Sequence, residues 1–234
     1  MLGKILRIVA IILIGLASTL MILGGIGTIC IAWFPENWES LAVMAPYKLI
    51  FQAAVIFTLL AGFTSLWATV KLIRREKNGW NMAVIALLLS LATAGTKMYF
   101  SNMARGSVAP TNIRFYFSLF VLVYFLVMRI PPLWEKVGFE DQGRPDEDLS
   151  GLAGGTTAIV AGLLTLTVHL WAGPTHTVNG VNYVEYLHTE LMIAGSVMVV
   201  AGLIALTLDL WNIIDPQNRT TRSRGSSIRT PTLH

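Results

Sequence analysis

Six stretches of this sequence are almost free of charge, and short polar connections carrying most of the lysines, arginines and prolines separate them. They cover about 8–33, 49–70, 80–96, 115–128, 152–171 and 184–211. A transmembrane helix needs about 20 mostly apolar residues. The first, second, fifth and sixth stretches meet that length directly, and the third and fourth meet it with their flanks or with a shift or tilt. The pattern predicts an all-α, polytopic integral membrane protein with six transmembrane helices.

The basic residues set the expected orientation. With the N-terminus inside, only Lys48, Lys97, Arg105 and Arg114 of the 17 lysines and arginines fall on the outer side. Loops rich in lysine and arginine resist translocation. The asymmetry therefore predicts both termini on the cytoplasmic side of a plasma or inner membrane. Lys4 and Arg7 precede an apolar run longer than the 7–15 residues of a secretory h-region, and no clear A-x-A site follows. The run is expected to be a retained first helix.

Composition agrees with this reading. Hydrophobic residues make up 54% of the 234 and charged residues 13%, against about 25% charged in a soluble domain. Such a chain has too few charges to solvate a water-facing surface, which excludes an ordinary soluble enzyme, a disordered chain and a disulfide-stapled module. Cys30 is the single cysteine, so no internal disulfide or cysteine-based metal site can form. The pI near 9.4 follows from the inside loops and calls for no nucleic-acid partner.

Four regions are expected along the chain: a four-helix transmembrane region at 1–128, a cytoplasmic connection at 129–150, a transmembrane hairpin at 151–214 and a disordered basic tail at 215–234. The connection holds Pro131, Pro132 and Pro145 and the acidic run Asp146, Glu147, Asp148. Asp148 or Ser150 is placed to cap the fifth helix. The sequon Asn218-Arg219-Thr220 falls on the cytoplasmic side, where it is not glycosylated. Trp33, Trp38, Trp80, Trp134, Trp171 and Trp211 sit near span boundaries, as an interfacial aromatic belt does.

An ionisable group inside a span is costly and marks function by default. Three of the four histidines, His169, His176 and His188, lie on the last hairpin, and His234 ends the tail. Counted along antiparallel helices at 1.5 Å per residue, His169 and His188 stand at one depth, roughly 5–6 Å below the outer surface. Glu185 lies three residues before His188, on one helical face. Two such imidazoles are candidate ligands for haem b or another tetrapyrrole, for a quinone, or, with Glu185 and His176, for copper or zinc. The plain alternative is a pair of interfacial histidines with no ligand. The run His188-Thr189-Glu190-Leu191-Met192 resembles the haem-ligating helices of small b-type cytochromes. Those proteins usually place histidines on both sides of the membrane, and the first four helices here have none, so no family function is carried over.

Lys97, Arg105 and Arg114 stand against the charge bias. They are candidates to pair with Glu185 or Glu190, to hold propionates or to bind lipid phosphate; the plain reading is snorkelling to the interface. Asp209, near the inner end of the sixth helix, is expected to reach water or arginine side chains. Glycines are frequent in the first, fifth and sixth helices and favour close helix contact. The functional expectation is a membrane subunit of a larger redox complex, respiratory or photosynthetic, associated with lipid and with other integral membrane subunits or itself. The alternatives are a purely structural or assembly protein and, third, a small-solute transporter. A transporter would normally carry broken helices near mid-membrane.

Overall fold

The computed structural model describes residues 2–108, 110–139, 147–173, 176–178 and 180–214. The chain is all-α in character. Its helices are α1 (Leu2–Ile26), α2 (Ile29–Trp33), α3 (Glu39–Ala42), α4 (Lys48–Ile73), α5 (Gly79–Arg105), α6 (Thr111–Val127), α7 (Pro131–Val137), α8 (Glu147–Leu166), α9 (Val168–Trp171) and α10 (His188–Ile214). Among the described residues four helical segments are long and apolar enough to cross a membrane: Leu2–Trp33, Ala45–Ile73, Gly79–Arg105 and Tyr183–Trp211. The pair α6 and α7 would add a fifth, although it bends by 96°, and 151–166 of α8 is apolar but shorter. Each of the six expected segments thus contains a long helix, and the long apolar helices fit an integral membrane location.

Outward faces support that environment. Phe57, Phe63 and Trp67 on α4, Ile85 and Leu88 on α5, and Tyr116 and Phe120 on α6 are all exposed. Soluble monomers rarely leave contiguous apolar surface on this scale.

Several boundaries differ from the sequence expectation, each for a local reason. The first run breaks between α1 and α2 at Gly27 and Thr28, where the Thr28 hydroxyl turns back to donate to Gly24 O at 2.6 Å. The third helix is longer than expected because Thr96, Lys97 and Ser101 continue it to a left-handed Gly106 (φ 66°). The fifth run breaks at Thr167, between α8 and α9. A short hairpin, β1 (Thr177–Val178) and β2 (Val181–Asn182), closes the connection to α10, with Gly180 at φ 79° in its turn. This end of the molecule is called the hairpin end below. The Asp148 or Ser150 cap, the sequon, His234 and the tail fall outside the described residues or side chains.

The core lies between α1, α4, α5 and α6, and Ala153 of α8 and Phe139 beyond α7 join it. α8 also rests on α1, where Gly15 faces Thr157. At the end opposite the hairpin, α7 is held by aromatic contact. Trp80 meets Trp134 edge-on at 5.7 Å, and the Arg129 guanidinium stands 4.2 Å from the Trp134 ring centre and 5.2 Å from Trp80. The Trp80 indole N–H also donates to Phe125 O at 3.1 Å. These interactions hold α7 across the end of α6.

α10 packs along α8 with backbones in close approach. A Cβ on Gly202 would stand 2.6 Å from Gly155 O, and one on Gly162 would stand 2.7 Å from Gly195 O. Such distances exclude any side chain without helix separation. The rest of α10 is open: Val197, Val200, Leu203, Ile204 and Leu208 are exposed. We expect Gly202→Val to lower the unfolding free energy by about 1–3 kcal/mol, the usual cost of overpacking. Gly154→Ala, whose new methyl would meet Ile73 at an ordinary 3.4 Å, should stay within about 0.5 kcal/mol. Thermal unfolding of the two variants in detergent checks both outcomes.

Candidate functional site

Two groups of polar side chains stand out, both toward the hairpin end. The first is the histidine pair. His169 sits on α9, just past the break at Thr167, and His188 is the first residue of α10. Their rings meet edge to face at 80°, with centroids 5.7 Å apart. His169 is half-buried and His188 exposed. His169 Nδ1 lies 3.1 Å from Leu166 O. A carbonyl only accepts, so this contact places the ring proton on Nδ1 and leaves the Nε2 lone pair outward. Metal-bound histidines are commonly oriented by this kind of outer hydrogen bond.

The other residues of the expected metal set go elsewhere. His176 turns away from the pair: Nδ1 lies 2.9 Å from Ala172 O and Nε2 3.1 Å from Gly27 O. With both nitrogens facing carbonyls, the ring ties the hairpin to the end of α1 and presents no lone pair to the histidine pair. Glu185 is exposed on the single-turn helix Tyr183–Leu187, and Glu190 is exposed on the first turn of α10. Among the described residues no group of three His, Cys, Asp or Glu is placed to hold a metal ion. The structure brings His169 and His188 together and does not gather Glu185 and His176 with them into such a set.

The second group lies inside the bundle. Lys97 and Arg114 do not snorkel; they are 1% and 7% exposed. Lys97 Nζ donates to Thr28 Oγ1 at 3.1 Å, and the same hydroxyl donates to Gly24 O. Arg114 packs onto α1 where Gly24 leaves room: a Cβ there would lie 3.0 Å from Nη1. The two cations are close enough for their charges to interact. Among the described residues neither forms an ion pair with an acid. Lys48, by contrast, pairs in solvent with Glu36 at 3.2 Å. The Glu36 carboxyl is held below its ordinary range, first by its own backbone N–H and then by Lys48.

Hydroxyls continue this polar interior toward mid-bundle. Thr58 donates to Thr93 at 3.2 Å, Thr93 donates to Ser90 O at 3.0 Å, and Ser90 and Ser118 share a hydrogen bond of 3.1 Å. The centres of α4, α5 and α6 therefore carry buried hydroxyls as well as apolar side chains. The missed signal was spacing: Ser90, Thr93, Lys97 and Ser101 recur every three or four residues and form one polar stripe on α5. Arg114 and Ser118 repeat the pattern on α6.

Thr28 joins α1 to Lys97. Replacing it with the near-isosteric valine should cost about 1–3 kcal/mol by stranding the buried ammonium, whereas Thr28→Ser should recover most of that loss. Unfolding of both variants in one detergent is the check.

No protein-family model, no curated protein and no solved structure matches this chain.

Proposed function

We propose that the chain is an integral membrane subunit of a larger redox assembly, with His169 and His188 as the contact to a cofactor near the outer surface. The single observation behind this reading is the paired imidazoles, 5.7 Å apart at the hairpin end of α10, the most open of the candidate spans, with His169 Nε2 on the ring edge away from the Leu166 contact. Rings in edge contact leave no slot for a porphyrin plane between them, so the pair fits a metal ion at its edge or a quinone carbonyl better than axial haem ligation. The remaining ligands and the walls of the site come from a partner seated on α10. Two imidazoles alone leave a transition metal undercoordinated, which favours a shared site over an autonomous one. In this reading the chain crosses the membrane six times, with both termini cytoplasmic.

A structural or assembly role without cofactor is the second reading. The open apolar face of α10 favours it, since that face serves a partner helix whether or not a cofactor lies at its tip. The transporter reading is weaker, because none of the breaks noted in the long helices falls near mid-span.

Absorption spectroscopy and metal analysis of the natively purified assembly separate the two. A chromophore, quinone or stoichiometric metal that is lost in both His169→Ala and His188→Ala supports the redox reading. A colourless, metal-free and quinone-free assembly leaves the structural one. Topology is tested in a Cys30→Ala background: an impermeant thiol reagent should label Thr177→Cys from outside intact cells and should leave Lys77→Cys untouched. The reverse pattern overturns the orientation.

A further inference from the structure

We propose that Lys97 and Arg114 form a binding site for a phosphate-class oxyanion inside the α1–α4–α5–α6 bundle, close to its hairpin end. This site is separate from the histidine pair and does not depend on the redox reading.

Burial is the first ground. Two cations that are 1% and 7% exposed, on helices that cross an apolar layer, carry a desolvation cost that ordinarily demands an opposite charge. Neither has an acidic partner among the described residues. Thr28 Oγ1 offers Lys97 one neutral acceptor, which orients the ammonium and leaves its charge uncompensated.

The second ground is the direction of the open donors. Arg114 Nε and Nη2 are buried and have no hydrogen-bond partner. These two nitrogens form one edge of the guanidinium, with parallel N–H bonds. That fork matches two oxygens of a phosphate or carboxylate.

The third ground is what surrounds the fork. Gly24 lets the guanidinium lie against α1. Ser101, one turn beyond Lys97 on the same face of α5, is buried. A point charge and a two-pronged fork are the donor set that phosphate sites use. Charge favours phosphate over a carboxylate, since one or two negative charges can offset both cations. The phosphate can be carried on a lipid head group or be free, and the chemistry is shared.

The test uses full-length protein purified in a neutral, phosphate-free detergent. Inorganic phosphate is titrated at constant ionic strength while thermal unfolding is followed, and phosphorus retained after exhaustive detergent exchange is assayed. Stabilisation that saturates with added phosphate identifies a free anion. Near-stoichiometric retained phospholipid, with no response to free phosphate, identifies a head group. In either case Arg114→Lys, which keeps the charge and loses the fork, should weaken binding by about tenfold or more, and Lys97→Met should weaken it comparably. Should Arg114→Lys fail to fold, Lys97→Met carries the test alone. Wild-type protein with neither a phosphate response nor retained phosphorus overturns the proposal. So do folded variants that bind as wild type does.

Discussion

A helix that ends within a hydrocarbon-like interior leaves carbonyls or N–H groups that no water can reach, and leaving them unmet is expensive. Much of this structure is arranged around that constraint. Arg7, 1% exposed on α1, donates to Leu72 O and Ile73 O at 2.8 and 3.1 Å. It thereby places a positive charge on the C-terminal carbonyls of α4, where the helix dipole is negative. Asp209 reaches the backbone of α8 one turn in: its carboxylate accepts from Leu152 N at 3.0 Å, and the missing side chain of Gly151 makes room for it. At the far end of α1, His176 faces Gly27 O while Thr28 closes onto Gly24 O. Each long-range contact fixes one helix end against a second element, so the polar requirement of the backbone also sets how the helices sit together.

That logic explains why the interior charges fall where they do, and it isolates the ones it does not explain. Arg7 answers a helix end directly, and Asp209 meets the backbone of α8 in its second turn. Lys97 reaches the end of α1 only through a hydroxyl, and Arg114 keeps two donors unmatched. Satisfying the backbone therefore accounts for part of the Lys97–Arg114 pair and leaves positive charge that no acid among the described residues offsets.

How much of this was legible in the sequence depended on the kind of signal. The four helices long and apolar enough to span, among the described residues, follow from apolar runs, because hydrophobicity over 20 residues is a strong local property, whereas the fourth and fifth expected spans are bent or shorter. The breaks at Gly27–Thr28 and Thr167 were not legible. A single threonine hydroxyl bonding back to the preceding turn decides them, and threonines such as Thr157 and Thr165 do the same inside α8 without any break. The meeting of His169 and His188 was legible from counting along a hairpin. The count worked although the local structure differs: one ring stands on a separate short helix and the other on the first residue of α10. The fate of His176 was not legible, since its partner, Gly27, lies 149 residues away. Lys97 and Arg114 were visible as charges out of place. Their burial was hidden because snorkelling and burial share one sequence pattern, and only the polar stripe through Ser90, Thr93 and Ser101 distinguishes them.

The two candidate sites share one piece of scaffold. The chain between His169 and His188 carries His176, which holds Gly27; the next residue, Thr28, holds Lys97. Trp38 adds a second tie to the same loop, meeting Tyr183 edge-on at 5.3 Å. The loop between the paired histidines is thus tied to the turn that holds Lys97 by side-chain contacts. The α8–α10 contact is backbone-close at its glycines, whereas Val197, Val200, Leu203, Ile204 and Leu208 of α10 are exposed. The chain combines a closed bundle that retains buried charge with an open helix, and the two meet at the hairpin end, where His176, Gly27, Thr28 and Lys97 follow one another in contact.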